Sequence, residues 1–225
     1  MLKVKSLSLV DNAVTFIVKR AKPGSLTLSV HFNPYLPTQD MTESITVLIV
    51  PGLRDHVADH WQTLLAAKLP RVHTVEPLEH NKLGCTARVV AIARAIQSID
   101  GPVIVVAHSA GVMMLAHWVS RHDSSMIRGA LLAAPADLET PMPAGYPTID
   151  ALSEHGWLPI PRAILPFPSI VAASSNDPLT RIERARDFAQ AWGSRFLELG
   201  AAGHLNPASG HGEWPRAEEL LSELR

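Results

Sequence analysis

Five residues near the middle of the chain, Ala107-His108-Ser109-Ala110-Gly111, set a serine among small neighbours, directly after an apolar run and directly before a helical pattern. This is the nucleophile-elbow pattern G-x-S-x-G with Ala at the first position. The flanking residues must be small because the chain turns very tightly from strand into helix and holds the hydroxyl exposed. Serine is also a favoured helix N-cap, so the pentapeptide alone leaves a plain cap as the rival reading of Ser109. A serine hydroxyl becomes a useful nucleophile only beside a base, and that base needs an orienting carboxylate. On an elbow scaffold these follow in the chain order Ser, Asp/Glu, His. Asp177, in Ser175-Asn176-Asp177-Pro178, follows the apolar run 169–174, and His204, in Gly200-Ala201-Ala202-Gly203-His204, follows the run 195–199. Three residues of the required types thus stand in the required order, each just past a strand-like run.

The competitors are named by the same logic. Asp177 before Pro178 could simply cap a helix, and Asp137, after the run 127–134, is a second acid in a comparable place. His211, in Ser209-Gly210-His211-Gly212, competes with His204 for the base, but stands nearer the terminal helical pattern. Acyl transfer also needs two N–H donors for the developing oxyanion. The residue after the nucleophile, Ala110, supplies one; Leu53, in Pro51-Gly52-Leu53-Arg54 after the run 45–50, is the expected second, although Pro-Gly also reads as an ordinary turn. His56 and His60 share one helical turn as in zinc proteases, but Val57 stands where that motif has Glu and no third ligand is apparent, so no metal is expected. His60 and Trp61 are expected to pack the helix or line the cleft mouth. No phosphate-binding glycine loop occurs, and Glu183, Arg184, Arg186 and Asp187 read as a solvated helix face.

These residues must be positioned by regular elements. The β-rich apolar run at 45–50 and the fully apolar run at 103–107 have the character of strands buried on both faces, and 127–134 and 169–174 read as further strands. Shorter runs at 72–75 and 195–199 add two more. Helical spacing recurs at 57–69, 86–99, 110–120, 179–192 and 215–224. Strand and helix alternate, so the expected class is α/β: a mainly parallel sheet with helices on both faces. Functional groups in such sheets gather at the carboxyl ends of the strands, where Ser109, Asp177 and His204 all fall. The segment 135–168 breaks the alternation and holds eight of the 18 prolines. A connection that long is expected to be functional. Its aromatic and apolar side chains, Tyr146, Trp157, Leu158 and Phe167 among them, are expected to wall an acyl pocket that favours short, uncharged acyl groups; a rigid loop packed on the sheet edge is the alternative. Pocket candidates are therefore His60, Trp157 and Phe167.

Residues 1–40 differ from the 41–225 domain. They hold five cations, Lys3, Lys5, Lys19, Arg20 and Lys22, against Asp11 and Asp40. Alternating runs at 4–10 and 13–18 flank Asp11-Asn12 as a hairpin would, and 25–32 could add a strand. Either translation begins at Met41 and this is a gene-model extension, or a real hairpin extends the main sheet. Over the whole chain, 47% apolar and 18% charged residues with a net charge of −1 describe a folding chain without a global attraction to nucleic acid or anionic membranes. A lone cysteine, Cys85, excludes an internal disulfide. No apolar run reaches the roughly 20 residues of a membrane span, and the expected setting is cytoplasmic.

The chain resembles the small serine hydrolases grouped with retinoblastoma-binding protein 9 and the bacterial YdeN proteins. The resemblance runs from Ile45 to the C-terminus. Its segments are Val50-Pro51-Gly52, Val106-Ala107-His108-Ser109-Ala110-Gly111, Gly129-Ala130-Leu131-Leu132-Ala133-Ala134-Pro135, Leu165-Pro166-Phe167-Pro168, Ser174-Ser175-Asn176-Asp177-Pro178, Trp192-Gly193, Gly203-His204-Leu205-Asn206 and Ser209-Gly210-His211-Gly212-Glu213-Trp214-Pro215. It implies a compact α/β-hydrolase fold and a Ser109–Asp177–His204 triad. Val75-Glu76-Pro77-Leu78-Glu79-His80 departs from the aromatic stretch the family often has there, and residues 1–40 lie outside the pattern. The expected function is cofactor-free hydrolysis of small esters or related acyl compounds, with a small acyl molecule as partner. An amide or peptide hydrolase would use the same residues, and a protein-interaction module on the same fold, with little turnover and a protein partner, is the rival from another class.

Overall fold

The computed structural model describes residues 14–22, 25–32 and 44–225, with side chains described from residue 44 onward. The chain divides into two units, Met1–Thr42 and Glu43–Arg225. In the first, strands β1 (Val14–Lys22) and β2 (Ser25–Phe32) pair antiparallel, with Val14 opposite Phe32. The described pairing thus joins the second and third alternating runs, in a sheet of two strands. The run 4–10 and the turn at Asp11-Asn12 lie outside the described residues.

In the second unit, strands β3 (Thr46–Val50), β4 (Val72–Thr74), β5 (Val103–His108), β6 (Ile127–Ala133), β7 (Ser169–Ala173) and β8 (Arg195–Glu198) form one parallel sheet in the order β4-β3-β5-β6-β7-β8. Helices α1 (Trp61–Lys68), α2 (Cys85–Gln97), α3 (Ala110–Val119), α4 (Ile149–Glu154), α5 (Ile182–Trp192) and α6 (Arg216–Glu223) connect and close it. This is the α/β class expected from the alternation.

Strand side chains point alternately to opposite faces, and the two faces bury two cores. Leu48, Val50, Val103, Val105, Ala107, Leu132 and Val171 pack with α2, α3 and α5 through Val89, Ile92, Met113, Leu115, Phe188 and Trp192. Val47, Ile49, Ile104, Val106, Leu131, Ile170 and Ala172 pack with α1 and α6 through Trp61, Leu65, Leu220 and Leu221. Burial on both faces is why these strands read as unbroken apolar runs.

From β3 the chain passes outward to β4 and then returns to β5 on the other side of β3. The loops after β3 and β5 therefore diverge, and the crevice between them is the place where α/β sheets bind ligands. Helix α1 starts at Trp61, later than expected from periodicity, because His60 serves as its cap: the Gln62 N–H donates to His60 Nδ1 at 3.2 Å.

The segment 135–168 does two different things. Its first part, with Ala136, Leu138, Met142, Tyr146 and Pro147, faces the crevice. Its second part forms α4, capped by the Thr148 hydroxyl on Ala151 N–H, and then turns inward. Trp157 is 0% exposed and lies in the α2–α3 core; Phe167 is buried in the same core. The expectation that Trp157 and Phe167 line the pocket is thereby corrected. A buried indole needs an acceptor for its N–H, and Trp157 Nε1 finds the Leu83 carbonyl at 2.6 Å. Its own carbonyl accepts from His117 Nε2 at 2.9 Å. The helix face 183–187 is also more than a solvated one, since Arg184 reaches the buried Asp137.

Candidate active site

Ser109 follows the last residue of β5 at φ 58° and ψ −129°. A non-glycine residue at positive φ is strained and persists only where its surroundings hold it. Here the Ser109 N–H donates to the Ala133 carbonyl of β6 at 3.0 Å. Two glycines make the turn sterically feasible. A Cβ on Gly111 would lie 2.4 Å from the Val50 carbonyl oxygen and 2.6 Å from that of Pro51, which no side chain can survive without moving backbone. A Cβ on Gly52 would lie 3.2 Å from Ser109 Cβ and 3.4 Å from its Oγ. The small residues read from the sequence are thus required by close approach of α3 to the end of β3.

His204 and Asp177 meet at this serine. His204 Nε2 lies 2.8 Å from Ser109 Oγ, and His204 Nδ1 lies 2.8 and 2.9 Å from the two carboxylate oxygens of Asp177. An ionised carboxylate only accepts, so Nδ1 carries the ring proton and Nε2 presents its lone pair to the hydroxyl. The Asp177 side chain is 2% exposed and also accepts the Leu179 N–H at 2.8 Å. This arrangement can move a proton from the hydroxyl to the imidazole and stabilise the resulting imidazolium.

The loop that carries His204 is tied down by the residues after β7 and by its own Ser209. The Ala202 N–H donates to Ser174 Oγ at 2.9 Å, the Gly203 N–H to Asn176 Oδ1 at 2.6 Å and the His204 N–H to Ser209 Oγ at 2.9 Å. His108, buried beneath the loop, donates its Nε2–H to the His204 carbonyl at 2.9 Å. Its ring centroid lies 4.5 Å from that of His60 and 4.9 Å from that of His204. Burial, then the nearby His204, pushes the His60 pKa down to about 4, and burial above all holds His108 well below the ordinary range. Both rings are neutral at neutral pH and add no charge beside His204.

The competing residues have other work. Asp137, 1% exposed, accepts from Arg184 Nε at 2.8 Å and Nη2 at 3.1 Å, and from the Thr140 hydroxyl at 3.0 Å. Burial alone would raise its pKa, but these donors bring it below the usual carboxylate range. The His211 N–H donates to the Asn206 carbonyl, and it is His204 that reaches Ser109.

Leu53 and Ala110 both line the crevice with Ser109. Ala110 is the first residue of α3, so its N–H has no acceptor within the helix. The β3–α1 loop is held by a residue that sequence reading passed over. Arg88, on α2 and 4% exposed, pairs with Asp55 and donates Nη2 to the Leu53 carbonyl at 3.3 Å and Nε to the Lys82 carbonyl at 2.9 Å. Asp55 itself stands at φ 56°. Gln62 was likewise passed over: its amide donates to the Val106 carbonyl at 2.9 Å and ties α1 to β5 below the site. Neither the Arg88 contacts with Leu53 and Asp55 nor the Gln62 bond leaves a local signal, since these partners are separated by tens of residues.

The crevice is a cavity of about 440 Å³ walled by Leu53, Leu83, Leu138, Met142, Tyr146 and Leu179, with Ser109, His204 and His60 on its floor. Among the described residues no cluster of three or more His, Cys, Asp or Glu side chains is placed to hold a metal, and no helix is long and apolar enough to cross a membrane.

A family model described as serine hydrolase matches residues 47–223. A solved YdeN-like hydrolase from Pectobacterium atrosepticum is 30% identical, with a TM-score of 0.69 over 81% of this chain and 91% of that one. The ydeN gene product of Bacillus subtilis shares the fold at 16% identity, with a TM-score of 0.61 over 80% of this chain and 98% of that one. So does Est1E of Butyrivibrio proteoclasticus, solved with ferulic acid, at 10% identity and a TM-score of 0.58 over 84% and 92%. No curated protein matches the chain.

Proposed function

The chain belongs to the serine hydrolase family, and from that premise we propose that it cleaves small esters or related acyl compounds through a Ser109–His204–Asp177 triad and an acyl-enzyme. The observation that carries this reading is the unbroken relay from Ser109 Oγ through His204 to Asp177, with every link at hydrogen-bond distance. As Ser109 Oγ attacks the acyl carbon, its proton passes to His204 Nε2, and Asp177 holds the imidazolium from the Nδ1 side. The carbonyl oxygen takes up negative charge and is received by the N–H groups of Ala110 and Leu53. Collapse of the tetrahedral species breaks the bond to the leaving alcohol, which takes the proton from His204. Water then attacks the acyl-enzyme with His204 as base, releasing the acid and restoring Ser109. Every group these steps use belongs to the chain, and the only partners they need are a small acyl molecule and water.

The apolar walls suit a small acyl or alkyl group, as pockets for small molecules generally do. His60 sits on the cavity floor, where its neutral ring can contact the substrate without competing for the proton that His204 carries.

The test is labelling by a fluorophosphonate probe together with turnover of short p-nitrophenyl esters. Wild-type protein should label at Ser109 and hydrolyse the esters, whereas Ser109→Ala should lose the label and about six orders of magnitude in kcat. A matched p-nitroanilide should turn over more slowly than the ester; the reverse order would make the chain an amide hydrolase. Folded wild-type protein that takes up no probe would overturn the triad and favour an interaction module.

A further inference from the structure

The cavity walls are apolar, but its rim is charged in one sense. Three residues with charged side chains are among those that line it: Arg54, Asp55 and Lys82. Asp55 is already matched, because the buried Arg88 guanidinium pairs with it. Arg54 and Lys82 have no carboxylate within 4.0 Å among the described residues. Arg54 instead rests against Tyr146, its Cζ 5.3 Å from the ring centroid, a contact through the guanidinium face that does not consume its N–H donors.

The two cations are brought to the same place by the backbone. Arg88 donates to the carbonyl of Leu53, the residue before Arg54, and to the carbonyl of Lys82 itself. One buried guanidinium therefore fixes both loops at the cavity rim. Arg54 also directly follows Leu53, the proposed oxyanion donor, so its side chain starts one residue from the reacting carbonyl. Cations above low-dielectric walls concentrate the field in a cleft and draw in anions. Among the described residues neither cation has a counter-charge, and a wholly neutral substrate would not supply one.

We propose that the substrate is an acyl compound bearing an anionic group, a carboxylate or a phosphate, received by Arg54 and Lys82 while its acyl carbon is held at Ser109. This rests on the hydrolase reading above and sharpens its substrate class, in place of the uncharged acyl groups expected from the sequence. The anion can belong to the acyl group or to the leaving alcohol; the chemistry of recognition is the same.

Two matched pairs separate these sources: p-nitrophenyl hemiglutarate against p-nitrophenyl valerate, and 4-acetoxy-3-nitrobenzoic acid against its primary amide. In at least one pair the anionic member should have the higher kcat/KM by about tenfold at low salt. That preference should shrink as NaCl is raised from about 20 to about 500 mM, because exposed ion pairs are screened. In an Arg54→Gln, Lys82→Gln double variant the anionic-to-neutral ratio should approach one. Wild-type ratios at or below one in both pairs would overturn the proposal, as would a preference that survives the double variant or ignores salt. Failure of the underlying reading looks different: none of the four compounds is hydrolysed and Ser109 takes up no probe, which overturns both.

Discussion

Two aspartates stand just beyond the carboxyl ends of neighbouring strands, Asp137 after β6 and Asp177 after β7, and both side chains are almost wholly buried. Asp137 meets an arginine from α5 and fastens the start of the 135–168 segment to that helix. Asp177 meets a histidine whose other nitrogen touches a serine. Burial and strand-end position are shared, so neither marks an acid as part of a reaction path. The partner does. An arginine keeps its proton under all ordinary conditions and can only hold, whereas a histidine can take a proton and give it back.

The sharpest way to break this contrast is to make the same conservative change at both places. Asp177→Asn should lower kcat for a p-nitrophenyl ester by about four orders of magnitude, since the amide no longer secures the productive His204 tautomer. Its Tm should move far less than that of the second variant. Asp137→Asn should do the opposite: it removes the buried carboxylate that Arg184 reaches while Glu139 still holds that guanidinium, at a cost of about 2 kcal/mol. That corresponds to a Tm lowered by about 4–8 °C for a domain this size, with kcat within about threefold of wild type. Parallel thermal melts and ester assays check both, and a large loss of kcat in Asp137→Asn would erase the distinction.

A third pair lies between these extremes. Asp55–Arg88 is a buried ion pair like Asp137–Arg184, but the same guanidinium also holds the Leu53 carbonyl. Arg88→Met should therefore lower both Tm and kcat, kcat by about tenfold or somewhat more, as expected when an oxyanion donor is misplaced but retained. Arg88→Lys keeps a cation for Asp55 but cannot reproduce the three separate donors, so it should recover Tm more fully than kcat. Equal recovery of the two would assign Arg88 to stability alone.

Near neutral pH the smallest effect concerns the neutral imidazoles. His60, His108 and His117 all have pKa values pushed down, by burial above all. The unfolded chain takes up protons at these positions near pH 6.5 while the folded chain does not, so their neutral burial favours the fold fully only above that pH. As pH falls from about 6.5 towards the folded value of about 4 at His60, stability should drop by up to about 1.4 kcal/mol per pH unit for that ring, with His108 and His117 acting in the same direction. A His108→Gln variant should show a shallower decline of Tm with acidification than wild type.

Much of the frame was legible because it is written locally. The elbow shows itself in Ala107, Ala110 and Gly111 crowding a serine, and the buried strands in runs such as Val103-Ile104-Val105-Val106. Asp177 and His204 were legible from their places after such runs, and the structure sets them on one serine. Trp157 was misread because a proline-rich, aromatic segment says nothing about which of its side chains turns inward. That depended on the Leu83 carbonyl being there to accept the indole N–H. Arg88 was missed for a related reason: it looks like one more polar residue on an amphipathic helix, and its three partners lie on two loops distant in sequence from each other.

The glycine at position 111 also shapes how this protein could diversify. Because a single added methyl group there would collide with the backbone at the end of β3, the ground beneath the serine is closed to mutational exploration, and any lineage that keeps the chemistry must keep that residue. The wall at 142–147 is open ground by comparison. Met142 and Tyr146 are side chains on a connecting segment, and both are only partly buried, whereas Gly145 between them, at φ 89°, is held to glycine by its backbone. New substrate preferences can accumulate there one substitution at a time, and a library aimed at altered selectivity belongs on that stretch, with the elbow left untouched.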